Sequence, residues 1–159
     1  MRACVVDPGV AVSEILLLNG PNLRLLGRRE PEIYGTDTLA DVEAAVAAEV
    51  AERGWTVTAV QRDAEADLIR TIEDSYGTAG IIINPGALMM AGWSLRDALS
   101  AYPGPFIEVH ISNVWARESF RHQSVISGPA RGVIVGLGTL GYRLAARALL
   151  DVAAPPRSL

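Results

Sequence analysis

A chain of 159 residues, half of them apolar, has the length of one domain and the means to bury a full core. Its net charge of -4 argues against nucleic acid as the main partner, because phosphate binding needs a basic face, and no apolar run approaches the roughly 20 residues that cross a bilayer. All fourteen basic residues are arginine, so a lysine Schiff base, pyridoxal phosphate attachment and a P-loop lysine are excluded as chemistry of this chain.

Residues 1–13 carry one arginine, a weak apolar stretch and the lone Cys4. They read as a flexible N-terminal extension without a signal-peptide core, so a cytoplasmic protein is expected. One cysteine excludes a disulfide framework. A first strand is expected over 15–18. The segment that follows, "NGPNLRLLGRREPEIYG" from Asn19 to Gly35, is about three times longer than the two to six residues a strand-to-helix connection usually takes. Thr38 then opens a helix with Asp41 three residues on, a capping-box spacing. Leu39, Val42, Val46 and Val50 fall on one stripe and Gly54 closes it.

A strand is expected over 56–60, and Asp63 is placed to cap a helix whose Leu68, Ile69, Ile72 and Tyr76 share a face. After a strand over 80–83, Ser94 with Asp97 opens a third helix that stops before Pro103. Further strands are expected over 106–111 and 132–135, a last helix over 140–152, and a tail over 153–159. Several strands are continuous Ile/Val/Leu runs, as strands buried on both faces of a parallel sheet are. The alternation predicts one α/β domain over 14–152, a flavodoxin-like five-stranded parallel sheet of order 2-1-3-4-5 with helices on both faces.

In such sheets ligands lie outside the carboxyl ends of the strands, near the topological switch point. Asn19 ends the first strand, Asn84 the third and His110 lies at the end of the fourth, so Asn22, Asn84 and His110 are expected to face one crevice with the long loop as its lid. That lid holds Tyr34 close behind Arg28 and Arg29. A phenol ordinarily titrates near pH 10, too high for a general base at neutral pH, and neighbouring guanidinium groups favour the phenolate. The competing role for these charges is a solvated surface with ion pairs among Arg28, Arg29, Glu30 and Glu32. Glu108, two residues before His110, leaves the strand on the same side. A carboxylate there orients the imidazole and favours its protonated form, as a general acid requires. His122 has no comparable context. "GLGTLG", Gly136 to Gly141, matches a dinucleotide fingerprint, but eighteen residues follow it and the fingerprint needs a further strand and an acidic residue about 20 positions on. Close packing and a helix N-terminus are expected there instead. No metal site is expected: there is no cysteine pair, and the two histidines are twelve apart.

At these residues the chain resembles the type II 3-dehydroquinate dehydratase family. "LLLNGPNLRLLGRREPEIYG", "INPGA", "RDAL", "PFIEVHISNVWARESFR" and "GVIVGLGTLGY" match that family's blocks in order and spacing over about residues 15–150. The resemblance implies trans-dehydration of 3-dehydroquinate to 3-dehydroshikimate through an enolate, in the shikimate pathway and without a cofactor. It implies that Tyr34, assisted by Arg29, removes a proton beside the ketone and that Asn22 holds the enolate through a water. His110, oriented by Glu108, protonates the departing C1 hydroxyl. Asn84, Ile111, Ser112 and Arg121 match substrate-binding positions, and Asp97 matches an aspartate that reaches a neighbouring subunit's site. It implies a homo-oligomer of trimers packed into a dodecamer.

One stretch departs from the family pattern. After Pro-Gly-Ala the family reads aromatic-Thr-His-Thr-Ser, whereas here Met90 holds the place of the histidine that bonds the substrate ring, with Met89 and Gly92 for Thr and Ser. Methionine adapts to irregular apolar ligands. A paralogue acting on a less hydroxylated or amino-substituted ring ketone, or a non-catalytic oligomeric homologue, are therefore the alternatives. Retention of Tyr34, Arg29, Asn22, Glu108 and His110 favours the dehydratase.

Overall fold

The computed structural model describes residues 13–153, and five parallel strands run through its centre. They are β1 (Glu14–Asn19), β2 (Thr56–Gln61), β3 (Gly80–Asn84), β4 (Phe106–His110) and β5 (Gly132–Val135), in the order β2-β1-β3-β4-β5. The helices are α1 (Pro31–Tyr34), α2 (Leu39–Ala51), α3 (Glu65–Asp74), α4 (Trp93–Ala101) and α5 (Leu140–Val152). Strand order and parallel pairing are those expected from the alternation of the sequence. The extension expected over 1–13 and the tail over 153–159 lie, except for residues 13 and 153, outside the described residues, as does Cys4. No helix among the described residues is long and apolar enough to cross a membrane.

Burial follows position in the sheet. The central strands β3 and β4 are buried at every residue, while the edge strands β2 and β5 are only partly covered. On one face Val42, Val46 and Val50 of α2 and Ala145, Ala146 and Leu149 of α5 pack on Ile15, Leu17, Ile82, Ile107 and Val109. On the other, Leu68 and Ile72 of α3 and Leu95 and Leu99 of α4 pack on Leu16, Leu18, Ile81, Ile83 and Phe106. Each of the buried Val, Leu, Ile and Phe side chains contributes about 1.5–3 kcal/mol by leaving water, which holds both layers to the sheet.

Local spacing predicts the helix starts unevenly. Thr38 and Asp41 form the capping box on α2. Asp63, expected to cap α3, does not: the N-cap is Ala64, and Asp63 Oδ1 instead accepts from the Asn22 amide at 3.3 Å and from Gln61 Nε2 at 3.0 Å. Nor do Ser94 and Asp97 cap α4, whose N-cap is Gly92; Glu65 of α3 reaches across and accepts from the Leu95 amide at 2.9 Å. At α4 a partner distant in sequence thus satisfies a donor that a local cap would have taken, whereas Asp63 is drawn from the α3 start to the loop after β1.

Two glycine positions fix how the chain leaves the sheet. A Cβ on Gly20 would meet the Pro85 carbonyl oxygen at 2.6 Å, so the turn after β1 needs glycine to pass the end of β3. Within "GLGTLG", Gly136 and Gly138 have φ of 84° and 61°, a left-handed backbone that glycine takes without strain. Their amides donate to the His110 and Ile111 carbonyls at 3.1 and 3.0 Å. That segment ties β5 to the end of β4.

A short polar chain runs beneath the carboxyl ends of the strands. Asn19 and Asn84 are register partners. Asn84 Nδ2 donates to the Tyr142 hydroxyl, which donates to Asn19 Oδ1, both at 2.8 Å. Tyr142 is fully buried, and burial pushes its hydroxyl well above the usual tyrosine range, so it stays a neutral donor. Tyr142→Phe leaves one donor and one acceptor unpaired. It is expected to lower unfolding free energy by about 1–3 kcal/mol, measured by urea denaturation.

Candidate active site

Beyond the ends of β1, β3 and β4 lies a cavity of ≈ 150 Å³, lined by Asn22, Arg29, Tyr34, Asn84, His110, Ile111, Ser112, Arg117 and Arg121 among others. The sheet supplies Asn84 and His110 from strand ends, and the backbone just after β4 supplies Ile111 and Ser112. The long loop after β1 supplies the opposite wall and is not featureless. It makes a 3-10 turn at Leu23–Leu25 and the short helix α1, and Leu23 and Leu26 sink into the core. Asn22 and Glu30 are its two non-glycine residues with positive φ, 69° and 43°, a conformation that costs energy and that surrounding contacts must hold. The Gln61 and Asp63 bonds at the end of β2 secure its base, with Gln61 Nε2 on the Gly20 carbonyl at 3.0 Å.

Tyr34 closes the loop over the cavity. Arg117 Nη1 donates to its hydroxyl at 2.7 Å, and the guanidinium carbon lies 5.7 Å from the ring centroid. Sequence reasoning does not single out Arg117. The one signal of it is the pair of arginines in "WARESFR" directly after a strand end. Arg29, expected as the partner of Tyr34, lines the cavity but pairs with Glu30 at 3.0 Å; Arg28 is exposed and is not among the lining residues. The direction of the chain in α1 explains this: the helix turns Tyr34 inward to the β4 side, where Arg117 waits.

His110 and Glu108 meet as expected, with His110 Nε2 and Glu108 Oε1 2.6 Å apart. Glu108 is fully buried behind the histidine and accepts two more hydrogen bonds, from Ser124 on Oε1 at 2.7 Å and Ser127 on Oε2 at 2.5 Å. Burial alone would push this carboxyl up, but the bonds from His110, Ser127 and Ser124 hold it below its ordinary value. With Nε2 committed to Glu108, Nδ1 is the ring nitrogen left for chemistry. A second cavity of ≈ 180 Å³ lies behind the pair, lined by Glu108, Ser124, Ser127 and His122 among others.

One further expectation changes. Met89, not Met90, lines the cavity. Residues Gly86–Met90 form a 3-10 helix, in which Met89 is buried and lines the cavity beside Gly86 and Ala87 while Met90 is not among the lining residues. Asp97 lies on α4 with an exposed side chain, 3.6 Å from Arg96, outside this chain's own cavity. Among the described residues no three His, Cys, Asp or Glu side chains come together to hold a metal ion.

The lowered Glu108 carboxyl makes stability depend on pH. A group whose folded pKa lies below its unfolded one stabilises fully above the unfolded value, about 4.3 for glutamate, and loses that contribution as pH falls through the folded value. Glu108→Gln is therefore expected to destabilise at pH 7 and progressively less in acid, so that the urea midpoints of the two proteins converge below about pH 4. Midpoint curves that stay parallel would count against this linkage.

The family model described as dehydroquinase class II matches residues 13–150. A 3-dehydroquinate dehydratase from Janthinobacterium sp. (strain Marseille) is 55% identical over 133 residues, 82% of this chain and 92% of that protein. One from Methylococcus capsulatus is 54% identical over 140 residues, 87% and 95% of the two chains. The crystal structure of the type II dehydroquinase from Propionibacterium acnes superimposes with a TM-score of 0.81 at 44% identity, over 89% of this chain and 96% of that one.

Proposed function

The chain belongs to the class II dehydroquinase family, and on that premise we propose that it is a hydro-lyase converting 3-dehydroquinate to 3-dehydroshikimate in the shikimate pathway. One observation carries this: a single cavity is lined by a tyrosine whose hydroxyl takes a guanidinium hydrogen bond and by a histidine backed by a buried carboxylate. These are a base and an acid for one elimination.

Tyr34 removes the proton from the carbon beside the ketone, and the electrons of that C–H bond pass into an enolate. Arg117 stabilises the phenolate through the 2.7 Å bond it already makes to the hydroxyl, since a donor to the charged form favours it. Arg29 lies on the same wall and adds positive potential. Asn22 holds the enolate oxygen through a water. Collapse of the enolate breaks the C1–O bond, and His110 gives its proton to the departing hydroxyl, which leaves as water. Asn84, Ser112, the Ile111 backbone and Arg121 hold the ring and its carboxylate. No metal or organic cofactor enters, because both proton transfers are made by side chains. Met89 contributes an apolar wall where the family pattern has threonine.

A homo-oligomer, a dodecamer of trimers in the cytoplasm, completes the proposal. It is supported by exposed Trp93, Trp115 and Phe120, which are 62%, 59% and 60% accessible in the single chain and gain from burial between subunits. Asp97 then serves a neighbour's site.

Turnover is followed by the ultraviolet absorbance of the conjugated product when dehydroquinate is supplied. Tyr34→Phe is expected to lose about 100- to 10,000-fold in kcat, the usual contribution of a general base, with the fold unchanged. Arg117→Ala is expected to lower kcat more than Arg29→Ala. Equal turnover by Tyr34→Phe and wild type would remove Tyr34 from its role. Because the chain contains no lysine, borohydride added with the substrate is expected to leave no reduced adduct on any side chain by mass spectrometry.

A further inference from the structure

Glu108 carries more hydrogen bonds than orienting a histidine requires. A carboxylate 2.6 Å from an imidazole can pair with it in three ways: carboxylate with imidazolium, neutral acid with neutral imidazole, and, after the ring has lost a proton to water, carboxylate with neutral imidazole. In a fully buried setting desolvation favours the neutral pair. Only the charged pair has a proton to give to a leaving hydroxyl.

The segment between Arg121 and β5 opposes that tendency. Ser124 Oγ accepts the Ile126 and Ser127 amides at 3.2 and 3.3 Å, so its hydroxyl proton is directed onto Glu108 Oε1. Ser127 donates to Oε2, the oxygen that His110 does not use. The segment is itself fixed: Val125 donates to the Met89 carbonyl at 2.8 Å and Ile126 is fully buried. Arg121 and His122 line the cavity behind the pair, each with a hydrogen bond of its own. Arg121 bonds Glu118 at 2.9 Å, and His122 Nε2 lies 3.0 Å from the Arg117 carbonyl. Ile83 of β3, Val133 and Val135 of β5, and Leu95 and Leu99 of α4 bring only apolar groups. Tyr102, in the same layer, bonds the Thr78 carbonyl, before the start of β3 and so at the opposite end of the strands.

We propose that Ser124 and Ser127 are positioning residues that keep the shared proton of the Glu108–His110 pair on the imidazole, and so hold the general acid in its competent charge state. This rests on His110 as the general acid of the proposed dehydration, but its central consequence, the charge of the His110 ring, is measurable without turnover. Ser127 is the cleaner test, because Ser124 also supports the local backbone.

The chain contains two histidines, so nitrogen-15 NMR of the labelled full-length protein resolves His110 with His122→Gln as the assignment control. Ring nitrogen shifts separate imidazolium from neutral imidazole. Ser127→Ala is expected to lower the imidazolium fraction of His110 below that of wild type at the same pH and to lower kcat by about 10- to 100-fold, the size of a hydrogen bond to a charged group, with KM much less affected. Ser127→Thr, which keeps the hydroxyl, is expected to restore both. If the alanine variant does not fold by circular dichroism, Ser127→Cys, a weak donor, gives the same readout. A wild-type His110 ring that is already neutral, or an imidazolium fraction unchanged from wild type in a folded Ser127→Ala or Ser127→Cys protein, overturns the proposal, whatever happens to kcat. A ring that turns neutral while kcat is unchanged sustains the serine clamp and removes His110 as the acid.

Discussion

A carboxylate taken wholly out of water is costly unless donors meet its lone pairs, and the site is organised around meeting that requirement at Glu108. Its place on β4, between the apolar partners Ile83 and Val133, admits no water from the sheet itself. The donors come from two directions instead: His110 two residues along the same strand, and the serines of the segment leading into β5. The same contacts satisfy the buried charge, fix the ring of His110 and set which nitrogen faces the cavity. If one were removed, the others would be left with an uncompensated anion, so their contributions are coupled and will not add.

The Asn84–Tyr142–Asn19 chain does for the neighbouring strand end what the serines do for β4. Asn84 lines the cavity, yet its amide nitrogen is given to Tyr142 of α5 and its Oδ1 accepts the Gly86 amide at 3.1 Å. Its orientation is thus set by the core below it and by the turn that carries Met89. Fold and site share these atoms, and the switch point of the sheet is where they have to meet. Strands β1 and β3 diverge in connection there, one sending its loop over the cavity and the other sending its turn beneath.

What the sequence makes legible is whatever depends on local periodicity. The five strands, the stripe of Leu39, Val42, Val46 and Val50, and the Thr38–Asp41 box all follow from spacing along a single element. The end of each strand then locates Asn84 and His110, and the same-side rule places Glu108 beside His110. Partners chosen across the fold are not legible. Asp63 and Glu65 have the composition of helix-start residues, but each satisfies an amide of another segment. Arg29 is nearer to Tyr34 in sequence than Arg117 is, but side-chain reach in three dimensions does not track separation along the chain. Met90 gives way to Met89 at the cavity wall; its expected place comes from the family pattern, which says nothing of how the side chains of a 3-10 turn are aimed.

The long loop after β1 is held at its two ends and near its last turn. Gln61 and Asp63 grip its base, Thr139 of the α5 start donates to Asp37 at 2.5 Å just past its far end, and Arg117 holds Tyr34. Between these points the backbone passes through positive φ at Asn22 and Glu30, residues with no glycine-like freedom. Such strain persists only where the surroundings over-determine it, and of the three attachments, the Tyr34–Arg117 bond is the one inside the cavity. On the proposed role of Tyr34, the base that gains and releases a proton in each turnover is also the latch of the loop that carries it. A phenolate accepts more strongly from a guanidinium than a phenol does. The loop is thus held tightest in the state that is ready to react, and its grip weakens once Tyr34 has taken its proton.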